Sequence, residues 1–327
     1  AITDDTQMTL FTAEGLIRAD NRYTERGICS MIGCVERAYL RWMNTQGVPY
    51  YNVWMGQRGW LLDQAALHHQ RAPGNTCLTA LRSTLRFMGG GPNARRTVND
   101  SKGCGGVMRV APVGLACREP LRDGAAVAAL THGHPAGRVA AGYLALLVRC
   151  LVDGEDLEAA VERMVENPPA TEAPEVDAAL AHALRLAREG TGTAEELEQL
   201  GEGWVAEEAL AIGVYAALHG RESFRRGVLL AVNHGGDSDS TGSIAGNLLG
   251  LIHGEEGIPP EWLDGLELRD VITQVADDLW LHFGEGDAPR EHARRTSGGL
   301  ETTDWNGQKV ARIRDGTPVD TDRYPPN

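Results

Sequence analysis

Ser240-Thr241-Gly242-Ser243-Ile244-Ala245-Gly246-Asn247-Leu248-Leu249-Gly250-Leu251-Ile252 is almost wholly small and apolar. Such a run suits a buried helix, because small side chains let neighbouring elements approach closely. Other segments repeat the helical reading. Ala140 to Val152 is apolar and rich in helix formers. Glu155 to Val165, Val176 to Arg188 and Ala206 to Leu218 space their apolar residues near 3.6. Met8, Phe11, Leu16 and Ile17 share one face of a first segment, and Val271 to Phe283 makes one more long helix. Leu78, Leu81 and Leu85 lie on a helix ended by Gly89-Gly90-Gly91-Pro92. Runs of alternating β-branched residues are nearly absent and aromatic residues are only 6%, so the fold class is all-α.

Breaks at Asn167-Pro168-Pro169 and Gly190-Thr191-Gly192 read as loops, not domain linkers, since helices of one kind flank them. One helical domain over 1–285 is expected. The stretch 286–327 is polar, with Gly and Pro, and is expected to lie over that domain as an irregular tail. A net charge of -14 over 327 residues argues against a basic nucleic-acid surface, although a local patch can still bind phosphate. No apolar run approaches the roughly 20 residues that span a bilayer. No secretory signal is visible, and the chain opens without Met, so an upstream segment is expected to have been removed. The six cysteines form no C-x-x-C pair, and several sit in apolar periodic stretches. Reduced, buried thiols in a cytoplasmic protein are the reading.

Four constellations carry chemistry. Thr3-Asp4-Asp5-Thr6-Gln7 is a hard oxygen cluster suited to Mg²⁺, Mn²⁺ or Ca²⁺, or else an acidic helix start. In His234-Gly235-Gly236-Asp237-Ser238-Asp239-Ser240-Thr241-Gly242, two carboxylates alternate with hydroxyls before an apolar helix. A cap needs only one of them, and the surplus charge is costly unless a cation neutralises it. A calcium loop starting at Asp237 would need a Glu where Leu248 stands. A phosphatase-type D-x-D would follow a strand, and here it follows His-Gly-Gly in a helical setting. Asn99-Asp100-Ser101-Lys102-Gly103-Cys104-Gly105-Gly106-Val107-Met108-Arg109 is a Gly-rich loop whose N–H groups can cradle phosphate, or a plain turn. Cys104 with His132 as base reads as a passive loop residue, not a nucleophile. Thr131-His132-Gly133-His134-Pro135 lacks the further soft ligands of a zinc site, and Pro135 is expected to start a helix.

Taken in chain order, the four motifs resemble the ADP-ribosylglycohydrolase family, over about residues 1 to 285. The resemblance implies a compact, orthogonal multi-helix domain with two divalent ions, Mg²⁺ or Mn²⁺, at the base of a cleft. Carried over by position, Thr3, Asp4 and Asp5 bind metal from one side, and Asp237, Asp239 and Ser240 from the other. Ser101, Lys102, Gly103, Cys104 and Gly105 match the loop that holds the ADP-ribose phosphates. His132 stands near the ligand, and Gly235, Gly236 and Ser238 line the ribose. The four aspartates are the catalytic candidates, with Asp4 or Asp239 taking a proton from water. The implied reaction is hydrolysis at the anomeric carbon of ADP-ribose on a protein side chain or small molecule, by a monomer. A non-catalytic ADP-ribose binder and a metal-dependent phosphohydrolase are the alternatives. The sequence departs from the family in three ways. The segment usual before the T-D-D motif, with its acidic residue, is expected to be missing. Ser240 replaces a common Thr. Cys104 stands where Asn is frequent.

Overall fold

The computed structural model describes residues 1–48, 59–89, 99–170 and 172–284, with 295–296, 299–300, 313–314, 317–318 and 323–325. Fourteen α-helices occur among them. In chain order they begin with α1 (Asp4–Arg26), α2 (Met31–Thr45), α3 (Asn75–Gly89), α4 (Ala111–Ala116), α5 (Pro120–Ala128), α6 (Pro135–Val152) and α7 (Leu157–Glu166). They continue with α8 (Pro174–Glu189), α9 (Ala194–Leu197), α10 (Ala206–His219), α11 (Phe224–Val232), α12 (Ser238–His253), α13 (Pro260–Asp264) and α14 (Arg269–Phe283). The fold is all-α. The β structure among the described residues is two antiparallel ladders of two-residue strands, β1 (Arg295–Thr296) with β2 (Gly299–Leu300) and β3 (Ile313–Arg314) with β4 (Thr317–Pro318). Most of the tail expected over 286–327, and the glycines at 90–91, lie outside the described residues.

The chain divides into two compact units: Ala1–Thr9 with Arg71–Glu267, and Leu10–Gln70 with Leu268–Asn327. In the first, α6 is the hub and packs against α4, α5, α10 and α12. Pro135 opens it at the first helical position, and the Nδ1 of His134 accepts from the Ala136 amide as N-cap. Tyr143, Leu144, Leu147 and Val148 are buried along it. Glycines let its neighbours come close: a Cβ on Gly142 would lie 2.5 Å from the Leu121 carbonyl oxygen of α5. Likewise a Cβ on Gly213 of α10 would lie 2.3 Å from Ile244 of α12. α6 is long and apolar enough to cross a membrane by length and composition, although no such run stands out from the sequence. It is 67% buried inside the protein, as suits a core helix. α12 is not enclosed on all sides as its small residues suggest. Ile244, Ala245, Leu248 and Leu249 are buried, while a Cβ on Gly246 or Gly250 would meet nothing within 4 Å.

In the second unit α1 and α2 cross at Gly15, where a Cβ would lie 2.7 Å from the Val35 Cα. Beside that crossing the fully buried Glu14 carboxylate accepts from Arg18 Nε and Arg41 Nε, both at 3.0 Å. Tyr324 is buried, and its hydroxyl donates to Asp278 at 2.8 Å while Asn21 donates to its carbonyl.

Candidate active site

Asp4 and Asp5 occupy the first turn of α1 and are almost wholly buried. The Asp4 amide donates to the Arg71 carbonyl, and the Gly74 amide donates to Asp4 Oδ2 at 3.3 Å. The Thr3 hydroxyl donates to Asp5 Oδ2 at 3.0 Å, while Asp5 Oδ1 is buried without a partner. Asp239, from the first turn of α12, brings a third carboxylate; oxygens of Asp4, Asp5 and Asp239 all lie within 4.8 Å of one another. Residues more than 230 positions apart thus meet.

Asp237 is the N-cap of α12 yet makes no side-chain cap bond. Its Oδ2 accepts from the Cys104 thiol at 2.7 Å, and Asp239 lies close enough to raise its carboxyl. It therefore borders the three-carboxylate cluster. Ser240 sits on the sulfur side, its hydroxyl directed to Cys104 Sγ and Met108 Sδ at 3.5 and 3.7 Å. Burial, then the Asp239 charge, pushes Asp4 up to about 7. Burial with Asp239, Asp4 and Asp237 pushes Asp5 up to about 8. Burial, then Asp239, raises Asp237 to about 6. Converging carboxylates, one with an orphaned oxygen, form a hard, anionic donor set that fits a divalent cation.

The Gly-rich loop is held by its neighbours. Asn99 Oδ1 accepts from the Ser101 and Gly133 amides, the Ser101 hydroxyl accepts from the Gly103 amide, and the Cys104 amide donates to the Trp204 carbonyl at 3.2 Å. The Ala206 amide returns to the Lys102 carbonyl at 2.8 Å, and Lys102 Nζ pairs with Glu207. Three of the amides expected to face phosphate, those of Ser101, Gly103 and Cys104, are thus engaged within the protein. Cβ atoms on Gly103 and Gly105 would crowd His132, at 3.4 Å from Nε2 and 3.0 Å from Cε1. His132 is buried beneath this loop, with Nδ1 on the Thr131 hydroxyl at 2.8 Å. Burial, then the Arg109 charge, lowers it to about 3, so its imidazole stays neutral. Burial and the neighbouring Asp237 push the Cys104 thiol well above its ordinary range, which makes it a poor nucleophile.

Gly236 is required by backbone contact: a Cβ there would lie 1.8 Å from the Glu202 carbonyl oxygen, which also accepts from the Asp237 amide at 2.8 Å. Gly235 faces open space, and the Ser238 hydroxyl turns back to the His234 and Gly236 carbonyls. Two participants are not among the candidate site residues, although Arg109 closes the quoted Gly-rich motif. The stretch Glu202–Ala206 joins the Gly loop to the Asp237 turn by main-chain bonds and leaves the Trp204 indole 57% exposed beside them. Arg109, fully buried, reaches Met8, Cys77 and Thr131. The motif contains Arg109, but the role of a buried cation amid sulfur and hydroxyl groups shows only once its partners are placed.

The ADP-ribosylglycohydrolase family model matches residues 1–289. An uncharacterized protein of Archaeoglobus fulgidus is 31% identical over 189 residues, which is 55% of this chain and 59% of that protein. The ADP-ribosyl-[dinitrogen reductase] glycohydrolase of Rhodospirillum rubrum is 27% identical over 210 residues, 62% of this chain and 63% of its own. The ADP-ribosylarginine hydrolase Tri1 of Serratia proteamaculans is 24% identical over 218 residues, 65% of this chain and 56% of its own. The chain thus spans between about half and two thirds of the length of these relatives. A solved structure titled ADP-ribosylglycohydrolase-related protein complex superposes with a TM-score of 0.60 and 27% identity, over 86% of this chain and 82% of that one. With the family model spanning nearly all of the helical region, the chain belongs to the ADP-ribosylglycohydrolase family.

Proposed function

We propose that the protein hydrolyses the ribosyl bond joining ADP-ribose to an acceptor, an arginine side chain of a protein or another group. We propose that it uses two Mg²⁺ or Mn²⁺ ions held by Asp4, Asp5, Asp237 and Asp239, with the Thr3 and Ser240 hydroxyls beside them. The observation that carries this reading is the convergence of carboxylates: oxygens of Asp4, Asp5 and Asp239 lie within 4.8 Å of one another, and Asp237, at the N-cap of α12, leaves that cap unused. Bound divalent ions would supply the positive charge that orients ribose hydroxyls and makes a water more acidic. The chain's own role is to hold four carboxylates in place against their repulsion and to offer one, Asp4 or Asp239, as the proton acceptor. The Gly loop, braced by His132 and Glu202–Ala206, is the surface we assign to the diphosphate, with the bound ligand exchanging for some of its internal bonds. The same reading takes the protein to be a cytoplasmic monomer; the six free thiols are consistent with that compartment.

The test is release of free ADP-ribose from an ADP-ribosylated arginine peptide by the purified chain. Release that needs Mg²⁺ or Mn²⁺ and stops in EDTA is expected. Binding without release would leave a non-catalytic reader of ADP-ribose, and AMP or inorganic phosphate as product would make it a phosphohydrolase; either result overturns the proposal.

A further inference from the structure

A second chemical group lies in the second unit, on residues the proposed reaction does not use. Cys29 and Cys34 are free thiols whose sulfurs are 3.4 Å apart. Their closeness follows from the helix start. Ser30 is the N-cap of α2, its hydroxyl accepting from the Gly33 amide at 3.1 Å. Cys29 is then the residue before the cap and Cys34 the fourth residue of the helix. That is the spacing at which a helix entry packs one side chain on another. Apolar residues often fill these two places; here both carry sulfur.

The surroundings make the pair addressable. Cys34 is buried and Cys29 half-buried, and both line an open pocket of about 210 Å³. Arg22 and Arg37 line the same pocket, with Ile28, itself 71% exposed, at its edge. One sulfur is thus half-exposed and the second buried, in a pocket whose two guanidinium groups favour an anion.

We propose that Cys29 and Cys34 form a thiol–disulfide exchange site that takes an anionic low-molecular-weight disulfide. Cys29, as thiolate, attacks one sulfur of the small disulfide; that S–S bond breaks and the leaving thiolate takes up the proton Cys29 gave. Cys34 then attacks the Cys29 sulfur, and the second small thiol leaves with the Cys34 proton. The protein is oxidised by two electrons to one disulfide, and the small disulfide is reduced to two thiols. Burial and the neighbouring Cys34 raise the Cys29 thiol to about 12, against the opposing pull of Arg22 and Arg37. The resting pair therefore reacts slowly, and equilibrium, not rate, is the property to measure. The preformed contact lowers the entropy cost of closing the bond in the folded chain relative to a flexible peptide.

The experiment equilibrates the full folded chain with graded ratios of oxidised to reduced glutathione, quenches in acid, alkylates, and reads residues 27–37 as one tryptic peptide. The expected product is that peptide two hydrogens lighter and unalkylated, formed at a ratio roughly tenfold less oxidising than the free peptide of the same sequence requires. Cys34→Ser should accumulate glutathione on Cys29, and Cys29→Ser should leave Cys34 alkylatable; circular dichroism verifies that both variants fold. Full alkylation of both thiols under excess oxidised glutathione would overturn the site. So would closure no easier in the folded chain than in the peptide, or no glutathione on Cys29 in the Cys34→Ser protein.

Discussion

A carboxylate buried beside others destabilises the fold unless a cation shares the site. Asp5 has one oxygen without a partner and three acidic neighbours, Asp4, Asp237 and Asp239. Asp5→Asn should raise the melting temperature of the metal-free protein and abolish the further rise that Mn²⁺ gives the parent. Calorimetry with and without EDTA measures both, and a metal-dependent rise that survives the substitution would argue against the site. Asp237→Asn loses no capping bond, so the variant should fold normally while ADP-ribose release falls by at least roughly 100-fold. His132 gives the part of the pH dependence that loses stability in acid, opposed by Asp4, Asp5 and Asp237, whose raised carboxyls gain stability as pH falls. Its folded pKa of about 3 lies below its ordinary 6.5, so the unfolded chain takes the proton first as acid is added. The stability this neutral histidine allows is whole above 6.5 and drains as pH falls toward 3. Urea titrations of parent and His132→Gln between pH 7 and 4 should show the variant gaining stability relative to the parent as pH falls; a difference that does not change with pH would remove His132 from the titration.

Between elements, the decisive contacts are made where side chains are missing. The α5–α6 contact brings the Leu121 carbonyl to 2.5 Å from where a Gly142 Cβ would stand. Gly142→Ala must push α5 and α6 apart in the core and should cost about 2 kcal/mol in urea unfolding. Gly246→Ala, where nothing lies within 4 Å, should instead stabilise by about 0.5–1 kcal/mol. Equal effects at the two positions would show that the packing argument is misplaced. The long helices are legible in the sequence: α7, α8 and α10 fall where the 3.6 period expects them, α6 and α12 where apolar composition does, and α14 on the stretch read as one more long helix. α2, α5 and α11 are not. α2 buries Arg41 on its inner face, where a charge breaks the apolar stripe, and the partner that neutralises it, Glu14, lies on another helix. Glycine in α5 and arginines at the start of α11 blur those patterns similarly.

Over the whole molecule, chain ends far from one another in sequence supply structure that local segments lack. Tyr324 is 1% exposed, and Asp278 Oδ2 accepts both its hydroxyl and Arg323, the latter at 2.6 Å. Tyr324→Ala should cost about 3–4 kcal/mol by loss of the buried ring and its hydrogen bond. Chemical denaturation of the two proteins gives the difference, and a loss under about 1 kcal/mol would mean that the second unit does not depend on this anchor.

By itself the sequence determined the helical class and the identity of the chemical groups: two acidic pairs, a Gly-rich loop and a His motif. Periodicity and residue type are local, and local information suffices for both. Only the tertiary structure decided how those groups are used. It put Asp239 beside Asp4 and Asp5, drew Asp237 aside to Cys104 and Asp239, set His132 under the loop as a neutral support, and brought Arg109 and Glu202–Ala206 into the site. The physical reason is burial: a carboxylate exposed at a helix start is a cap or a solvated charge, and folding alone removes the water and supplies the neighbours that make it a candidate metal ligand.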